Sequence, residues 1–170
     1  KQQDVLTFLP KIFGKKVKRI VMNKSYRNTS EIAEYAKSVG GSKDIQYVAR
    51  HGKAVERHAI KTLEKTCKEI SEKLKLREEE YETAAILTMT EKEAEHMQEI
   101  MHKLGAEAYY INRDSAQFKK GLTVTTYYLA KGLEFDQVFV VGGDRNNKMY
   151  QGYQYICATR ALHELYVYDA

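Results

Sequence analysis

Short apolar runs alternate along this chain with longer stretches in which apolar residues recur every three or four positions. Short runs bounded by glycine or polar residues are typical of buried strands, and the longer pattern is typical of amphipathic helices. The runs predict strands at residues 19–22, 84–89, 108–111, 122–126, 137–141 and 164–168. Strands that alternate with helices indicate an α/β fold, with a mainly parallel central sheet and helices on both faces.

Four helices are predicted between these strands. The first begins at Asn28, with Glu31 three residues later as in a capping box, and ends at Gly40. A second capping box begins the third helix at Thr90, and the fourth helix covers residues 149–162. The inward faces of the last three helices are predicted to be Leu63, Cys67, Ile70 and Leu74, then Ala94, Met97, Met101 and Leu104, then Tyr153, Ile156, Cys157 and Ala161.

The remaining stretches are less regular. Residues 45–49 and 54–60 are predicted to pair as a hairpin across His51 and Gly52. The charged run at residues 73–82 is interpreted as the solvated end of the second helix. No repeat, low-complexity tract or linker divides the sequence, so its 170 residues are expected to form one domain with a full core.

Composition narrows the class of protein without assigning a function. Hydrophobic residues make up 43% of the chain, which is typical of a globular protein, and a net charge of +5 permits contact with nucleic acid or phosphate without requiring it. No apolar run approaches the roughly 18 residues of a membrane span. Cys67 and Cys157 lack metal-ligand spacing, and buried free thiols fit a reducing, cytoplasmic location. The chain begins at Lys1 without Met, so we expect a piece of a longer protein.

A compact loop, AKGLEFD at residues 130–136, lies between two of the predicted strands. A loop at the carboxyl end of a buried strand is where open α/β sheets place ligands. Gly132 allows the backbone to come close to a ligand, and Glu134 can accept hydrogen bonds from a sugar hydroxyl. Taken by itself, the loop could equally be a solvated turn.

Two further stretches give this loop a context, NKSYRNTSEIAEY at residues 23–35 and YICATRALHELYVY at residues 155–168. In this order, the three stretches resemble the motifs of the second RecA-like domain of UvrD/Rep-like superfamily 1 DNA helicases. The resemblance extends over most of the chain and implies a three-layer, RecA-like fold. YYLAKGLEFD and ATRALHEL are most similar to the helicase-IV-related group, which includes the RNA-polymerase-associated HelD-like ATPases.

The resemblance implies roles in ATP binding and hydrolysis for particular residues. Arg27 and Arg160 match the arginines that act on the γ-phosphate, a task suited to a group that is always ionised and can hold two oxygens. Tyr26 matches the aromatic residue that stacks on adenine, and Glu134 matches the acid that holds the ribose. Lys131 and Gly132, in the same motif as Glu134, are also assigned to the nucleotide site.

The same resemblance assigns Thr90, Thr126 and Tyr128 to contact nucleic acid, most simply single-stranded DNA. Two departures from the family weaken this assignment. Tyr128 stands where the family usually has a histidine, and residues 87–93 lack the arginine and asparagine that commonly contact DNA there. The nucleotide role is therefore better supported than the unwinding role.

No stretch of the chain has the spacing GxxxxGK[ST] of a phosphate-binding loop. The chain is therefore expected to hold half of an ATP site, and an upstream RecA-like domain is expected to supply the phosphate loop and most of the Mg²⁺ ligands. Alone, the chain should not hydrolyse ATP. Two alternatives stay open, a HelD-like ATPase that remodels RNA polymerase with little unwinding and an interaction module that does not use nucleotide.

Overall fold

The computed structural model describes residues 28–40, 50–112 and 120–170 in full and the backbone of residues 24–25 and 46–47. Its strands are β1 (Lys24–Ser25), β2 (Gln46–Tyr47), β3 (Glu56–Ala59), β4 (Thr83–Thr88), β5 (Ala108–Tyr110), β6 (Gly121–Thr126), β7 (Phe135–Val141) and β8 (Ala161–Asp169). Its helices are α1 (Ser30–Gly40), α2 (Leu63–Leu76), α3 (Glu91–Lys103) and α4 (Tyr150–Thr159).

Six strands form one parallel sheet in the order β3-β8-β7-β4-β6-β5, and β1 pairs with β2, also in parallel. The predicted α/β fold with a mainly parallel sheet is therefore confirmed. Five predicted strands correspond to β4, β5, β6, β7 and β8. The sixth, at residues 19–22, lies outside the described residues.

The helices cover both faces of the sheet. Because successive strand side chains point to opposite faces, Ala85 and Leu87 of β4 pack with α1 and α4, whereas Ala84 and Ile86 pack with α2 and α3. The predicted apolar stripes are buried in large part, with Cys67 and Ile70 of α2 fully buried. In α3 the capping box is present, but Leu104 remains 38% exposed instead of joining the core.

The predicted hairpin is wrong. β3 pairs in parallel with β8 over Glu56 to Ala59, and β2 pairs in parallel with β1. The prediction failed because the polar sequence of β3, ERHA, suits the outer strand of a larger sheet, and one side of β3 pairs with no described strand. Sequence alone gave no sign that its neighbour would be the last strand of the chain.

The predicted start of α1 is also wrong. The helix begins at Ser30, and the side-chain oxygen of Thr29 accepts the Ile32 N–H at 3.4 Å. Glu31 does not close a capping box, because its carboxylate accepts the Gly52 N–H at 2.9 Å. The side chain of Asn28 makes contacts with the other end of the chain, described below.

The ends of α2 and α4 differ from expectation as well. α4 ends at Thr159, and residues from Ala161 onward belong to β8. Gln154 is buried on α4, whereas Ile156 is only half-buried. The charged end of α2 is not wholly solvated, because Arg77 Nε lies 3.1 Å from the carboxylate of Glu164, which is 2% exposed.

Candidate functional site

The loop from β6 to β7 crosses the domain from one end of the sheet to the other. We call the end where the strands finish the carboxyl edge and the end where they start the amino edge. β6 and β7 run in the same direction, so the chain must return from the carboxyl end of one strand to the amino end of the next. The Tyr127 N–H donates to the Thr88 carbonyl at the carboxyl edge, and the Phe135 N–H donates to the Arg160 carbonyl at the amino edge. Glu134, which precedes Phe135, therefore lies at the amino edge and not at the carboxyl edge that the sequence suggested.

Arg160 lies against the end of this loop. Its Nη1 donates to the Leu133 carbonyl at 3.1 Å, and its Nε and Nη2 reach the Thr159 hydroxyl at 3.4 and 3.3 Å. Arg160 is the C-cap residue of α4, and β8 begins at the next residue. Two of the predicted nucleotide residues, Glu134 and Arg160, are thereby brought to the same part of the amino edge.

Asn28 reaches the same place from the other end of the chain. Its Nδ2 donates to the Ala161 carbonyl at 2.6 Å and to the Thr159 carbonyl at 3.4 Å, so it contacts the residues on both sides of Arg160. Tyr26 and Arg27 lie outside the described residues. The residue bonded directly to Arg27 is nevertheless anchored beside Arg160.

The loop itself turns at Gly132, which has a positive φ of 81°. This conformation favours glycine over other residues because glycine has no Cβ. Both Lys131 and Gly132 are exposed, and Glu134 is half-buried. These three residues are partly open to solvent and lie on both sides of Leu133, whose carbonyl accepts from Arg160.

The residues predicted to contact nucleic acid gather at the opposite, carboxyl edge. Thr90 is the N-cap of α3, where its hydroxyl oxygen accepts the Glu93 N–H at 3.2 Å. The Tyr128 hydroxyl donates to the Glu91 carboxylate at 2.9 Å. Thr126 is 1% exposed, and its hydroxyl has no hydrogen-bond partner among the described residues. Direct access to Thr126 would require its surroundings to move, so its assignment stays a prediction.

Other polar residues at the amino edge were not singled out from the sequence. Arg50 donates to the Leu162 carbonyl and lies 3.0 Å from the His163 ring, and His51 donates to Glu31 at 3.0 Å. The His51 hydrogen bond is the main reason that the pKa of Glu31 is lowered, and backbone N–H groups add to the effect. The sequence marks Arg50 and His51 only as polar residues that follow a predicted strand.

The two cysteines are buried, as predicted. Burial raises the pKa of Cys67 to about 12, and it also raises the pKa of Cys157. Neither is a nucleophile in this state, because the thiolate is the reactive form. In the described parts of the chain, no group of three or more His, Cys, Asp or Glu side chains is arranged to hold a metal ion, and no helix is both long and apolar enough to cross a membrane.

Comparisons with known proteins identify the architecture. No protein-family model and no curated protein matches the chain. The structure is similar to the solved C-terminal domain of a possible DNA helicase from Lactobacillus plantarum WCFS1, with 24% sequence identity and a TM-score of 0.70 over 86% of this chain and 88% of the other. Weaker matches are an arterivirus helicase, nonstructural protein 10, solved with DNA (11% identity, 68% of this chain, 28% of that chain, TM-score 0.48) and PRRSV nsp10 (15%, 86%, 23%, 0.43). The fold is thus RecA-like, and it is similar to that of the C-terminal domain of this possible DNA helicase.

Proposed function

We propose that this chain is the second motor domain of an ATP-dependent superfamily 1 DNA helicase or translocase, and that its amino edge supplies half of the ATP site. One observation carries the proposal. Asn28, Arg160 and the loop that ends in Glu134 come together at the starts of β7 and β8, although they are far apart in sequence. These are the places where the three resembling motifs meet.

Arg160 has the properties that this role requires. In the described part of the chain its hydrogen bonds go to neutral oxygens, the Leu133 carbonyl and the Thr159 hydroxyl, and no carboxylate forms an ion pair with it. No carboxylate of the described residues therefore neutralises its positive charge. A guanidinium held in place by neutral acceptors can stabilise the charge that develops on a transferring phosphoryl group.

Each of the other residues would contact a different part of the nucleotide. Glu134 would accept hydrogen bonds from the ribose, Tyr26 would stack on the adenine, and Arg27 would join Arg160 at the γ-phosphate. Mg²⁺, held mainly by the upstream domain, would neutralise phosphate charge. Because the two arginines sit on a second domain, they would reach the phosphate only when the domains close, which would couple the nucleotide to domain motion.

The carboxyl edge would bind DNA, with Thr90 and Tyr128 at the amino end of α3. Nucleotide and DNA would then occupy opposite edges of one sheet, joined by the loop from Tyr127 to Glu134. A HelD-like role on RNA polymerase and a nucleotide-independent role remain alternatives, but none of the contacts or comparisons above favours either one.

Steady-state ATP hydrolysis by the full-length protein tests the proposal. Arg27→Ala and Arg160→Ala should each lower kcat by on the order of 10³, as arginine fingers do in related phosphoryl-transfer enzymes. The Kd for ATP should change little, because the upstream phosphate loop and Mg²⁺ supply most ground-state binding. Wild-type turnover in both variants would refute the proposal.

A further inference from the structure

The backbone of Arg160 is fixed by contacts on both sides. Its N–H donates to the Cys157 carbonyl at 3.1 Å, and its carbonyl accepts the Phe135 N–H at 2.9 Å. Asn28 donates to the carbonyls of the two neighbouring residues. An arginine side chain has several rotatable bonds, however, so a fixed backbone does not by itself fix the guanidinium. The place of the guanidinium is set by contacts of the side chain.

Two neutral oxygens contact the guanidinium at different atoms. Nη1 donates to the Leu133 carbonyl at 3.1 Å, while Nε and Nη2, which lie side by side, donate to the Thr159 hydroxyl oxygen at 3.4 and 3.3 Å. One contact alone would let the guanidinium turn about that hydrogen bond, whereas contacts at separate atoms of a planar group define its plane. Among the described residues, the Thr159 hydroxyl is the acceptor for both Nε and Nη2.

The Thr159 hydroxyl is itself oriented. It donates its proton to the Ile156 carbonyl, three residues earlier in α4, at 2.7 Å. Threonine in a helix commonly makes this bond. A hydroxyl has one proton and two lone pairs, so once the proton is donated the oxygen can only accept further hydrogen bonds. Thr159 is therefore a fixed acceptor beside Arg160 and not a freely rotating hydroxyl.

These contacts leave part of the guanidinium for a ligand. An arginine side chain has five N–H donors, and the contacts above use one on each of Nε, Nη1 and Nη2. One N–H on each of the two Nη atoms is not used by them. Two N–H groups of one guanidinium can bind two oxygens of a phosphoryl group together, but only when the plane of the guanidinium is correctly turned.

We propose that Thr159 is a positioning residue for Arg160, because its hydroxyl sets the plane in which the guanidinium meets the transferring phosphoryl group. The inference rests on the proposed function of Arg160. It assigns Thr159 no contact with the nucleotide. The Leu133 carbonyl limits how far the guanidinium can move, and the Thr159 hydroxyl determines how it is turned.

Two substitutions separate the hydroxyl of Thr159 from its shape. Thr159→Val keeps the branched shape and removes the acceptor, whereas Thr159→Ser keeps the hydroxyl. Arg160 retains its bond to the Leu133 carbonyl in Thr159→Val, so kcat for ATP hydrolysis by the full-length protein should fall only about fivefold, the scale of one modest hydrogen bond. KM should not change, and Thr159→Ser should retain most of the wild-type kcat.

A double mutant distinguishes positioning from loss of stability. In an Arg160→Ala background, Thr159→Val should cause no further loss of kcat, because its effect acts through Arg160. Ser38→Ala is the matched control, since the Ser38 hydroxyl also donates to a carbonyl three residues earlier, that of Tyr35, at 2.7 Å. It should leave kcat unchanged in both backgrounds. Losses from Thr159→Val and Arg160→Ala that multiply would overturn the inference.

Hydrogen exchange of the arginine side chain, measured by NMR on the 170-residue chain, tests the orienting role without ATP. The Nε–H of Arg160 should exchange about fivefold faster in Thr159→Val and near the wild-type rate in Thr159→Ser. An unchanged rate in Thr159→Val overturns the inference whatever the ATPase result. Faster exchange together with wild-type ATP turnover in full-length Arg160→Ala would refute the proposed function and still confirm that Thr159 orients Arg160.

Discussion

Asn28 offers the most direct test of the meeting point at the amino edge, because its partners are two backbone carbonyls that substitution cannot remove. The bond to the Ala161 carbonyl, at 2.6 Å, is short, and the bond to the Thr159 carbonyl, at 3.4 Å, is near the limit of a hydrogen bond. We expect the first bond to contribute about 1 kcal/mol to the free energy of unfolding and the second to contribute little. Asn28→Ala should therefore lower the free energy of unfolding by about 1 kcal/mol, or Tm by about 2–4 °C.

Asn28→Asp keeps the shape of the side chain but reverses its chemistry. A carboxylate cannot donate a hydrogen bond, so its negative charge would repel the same two carbonyl oxygens. The loss of unfolding free energy at pH 7 should be about 1–3 kcal/mol and larger than that of Asn28→Ala. The charged form is disfavoured in the folded state, so the folded protein binds the additional proton more readily than the unfolded chain. The deficit should therefore shrink as the pH falls toward the ordinary Asp pKa of about 4.

Urea denaturation of the 170-residue chain at pH 7 and at pH 4 measures both effects. The two variants should have the same dependence on urea concentration as the wild type, because the surface exposed on unfolding is unchanged. Equal stability of the Ala and Asp variants at both pH values would show that Asn28 does not donate to these carbonyls. The observation that carries the proposed function would then be lost.

Two further predictions concern single carboxylates. Glu134→Ala should raise the KM for ATP in the full-length protein about fivefold to tenfold with kcat nearly unchanged, because the ribose does not react; an equal fall in kcat would contradict the ribose role. Burial would raise the pKa of Glu56, but hydrogen bonds from two lysines and a histidine outweigh it and lower that pKa to about 2. A carboxylate with a lowered folded-state pKa stabilises the fold at pH values above its unfolded pKa of 4.5. The free energy of unfolding should therefore fall as the pH drops from 5 to 2. It should fall less steeply in Glu56→Gln. Identical pH profiles would contradict this.

The sequence predicted the interior of the sheet better than its edges. The apolar runs of β4 and β7 have only one interpretation, because strands buried on both faces need apolar side chains at nearly every position. β3 has no such pattern, since Glu56 and His58 face polar partners, and its pairing with β8 depends on a contact across the whole chain. Local sequence gives no information on such a partner.

The candidate site shows the same limit. The position of Arg160 at the end of α4 follows from the helical pattern, and its proximity to Glu134 follows once β7 and β8 are known to be neighbours. The contact of His163 with Asp136 does not follow, because it lies at a β-bulge between β7 and β8, and a bulge depends on the register between two strands and not on either strand alone. The partners of Asn28 were missed for a related reason. Its side chain could have capped the helix, but it donates to distant carbonyls instead.

The two outer strands of the sheet affect whether the isolated chain associates with itself. An unpaired strand edge is a template on which a second molecule can add a strand, and long apolar edges of this kind aggregate. β5 has three residues and β3 has four, and β3 carries Glu56, Arg57 and His58, with Arg57 paired to Asp169 at 2.8 Å. The short length of both strands, and the charge of β3, oppose strand addition. Among the described strands, the outer two are thus poor templates for self-association, apart from any contribution of net charge to solubility.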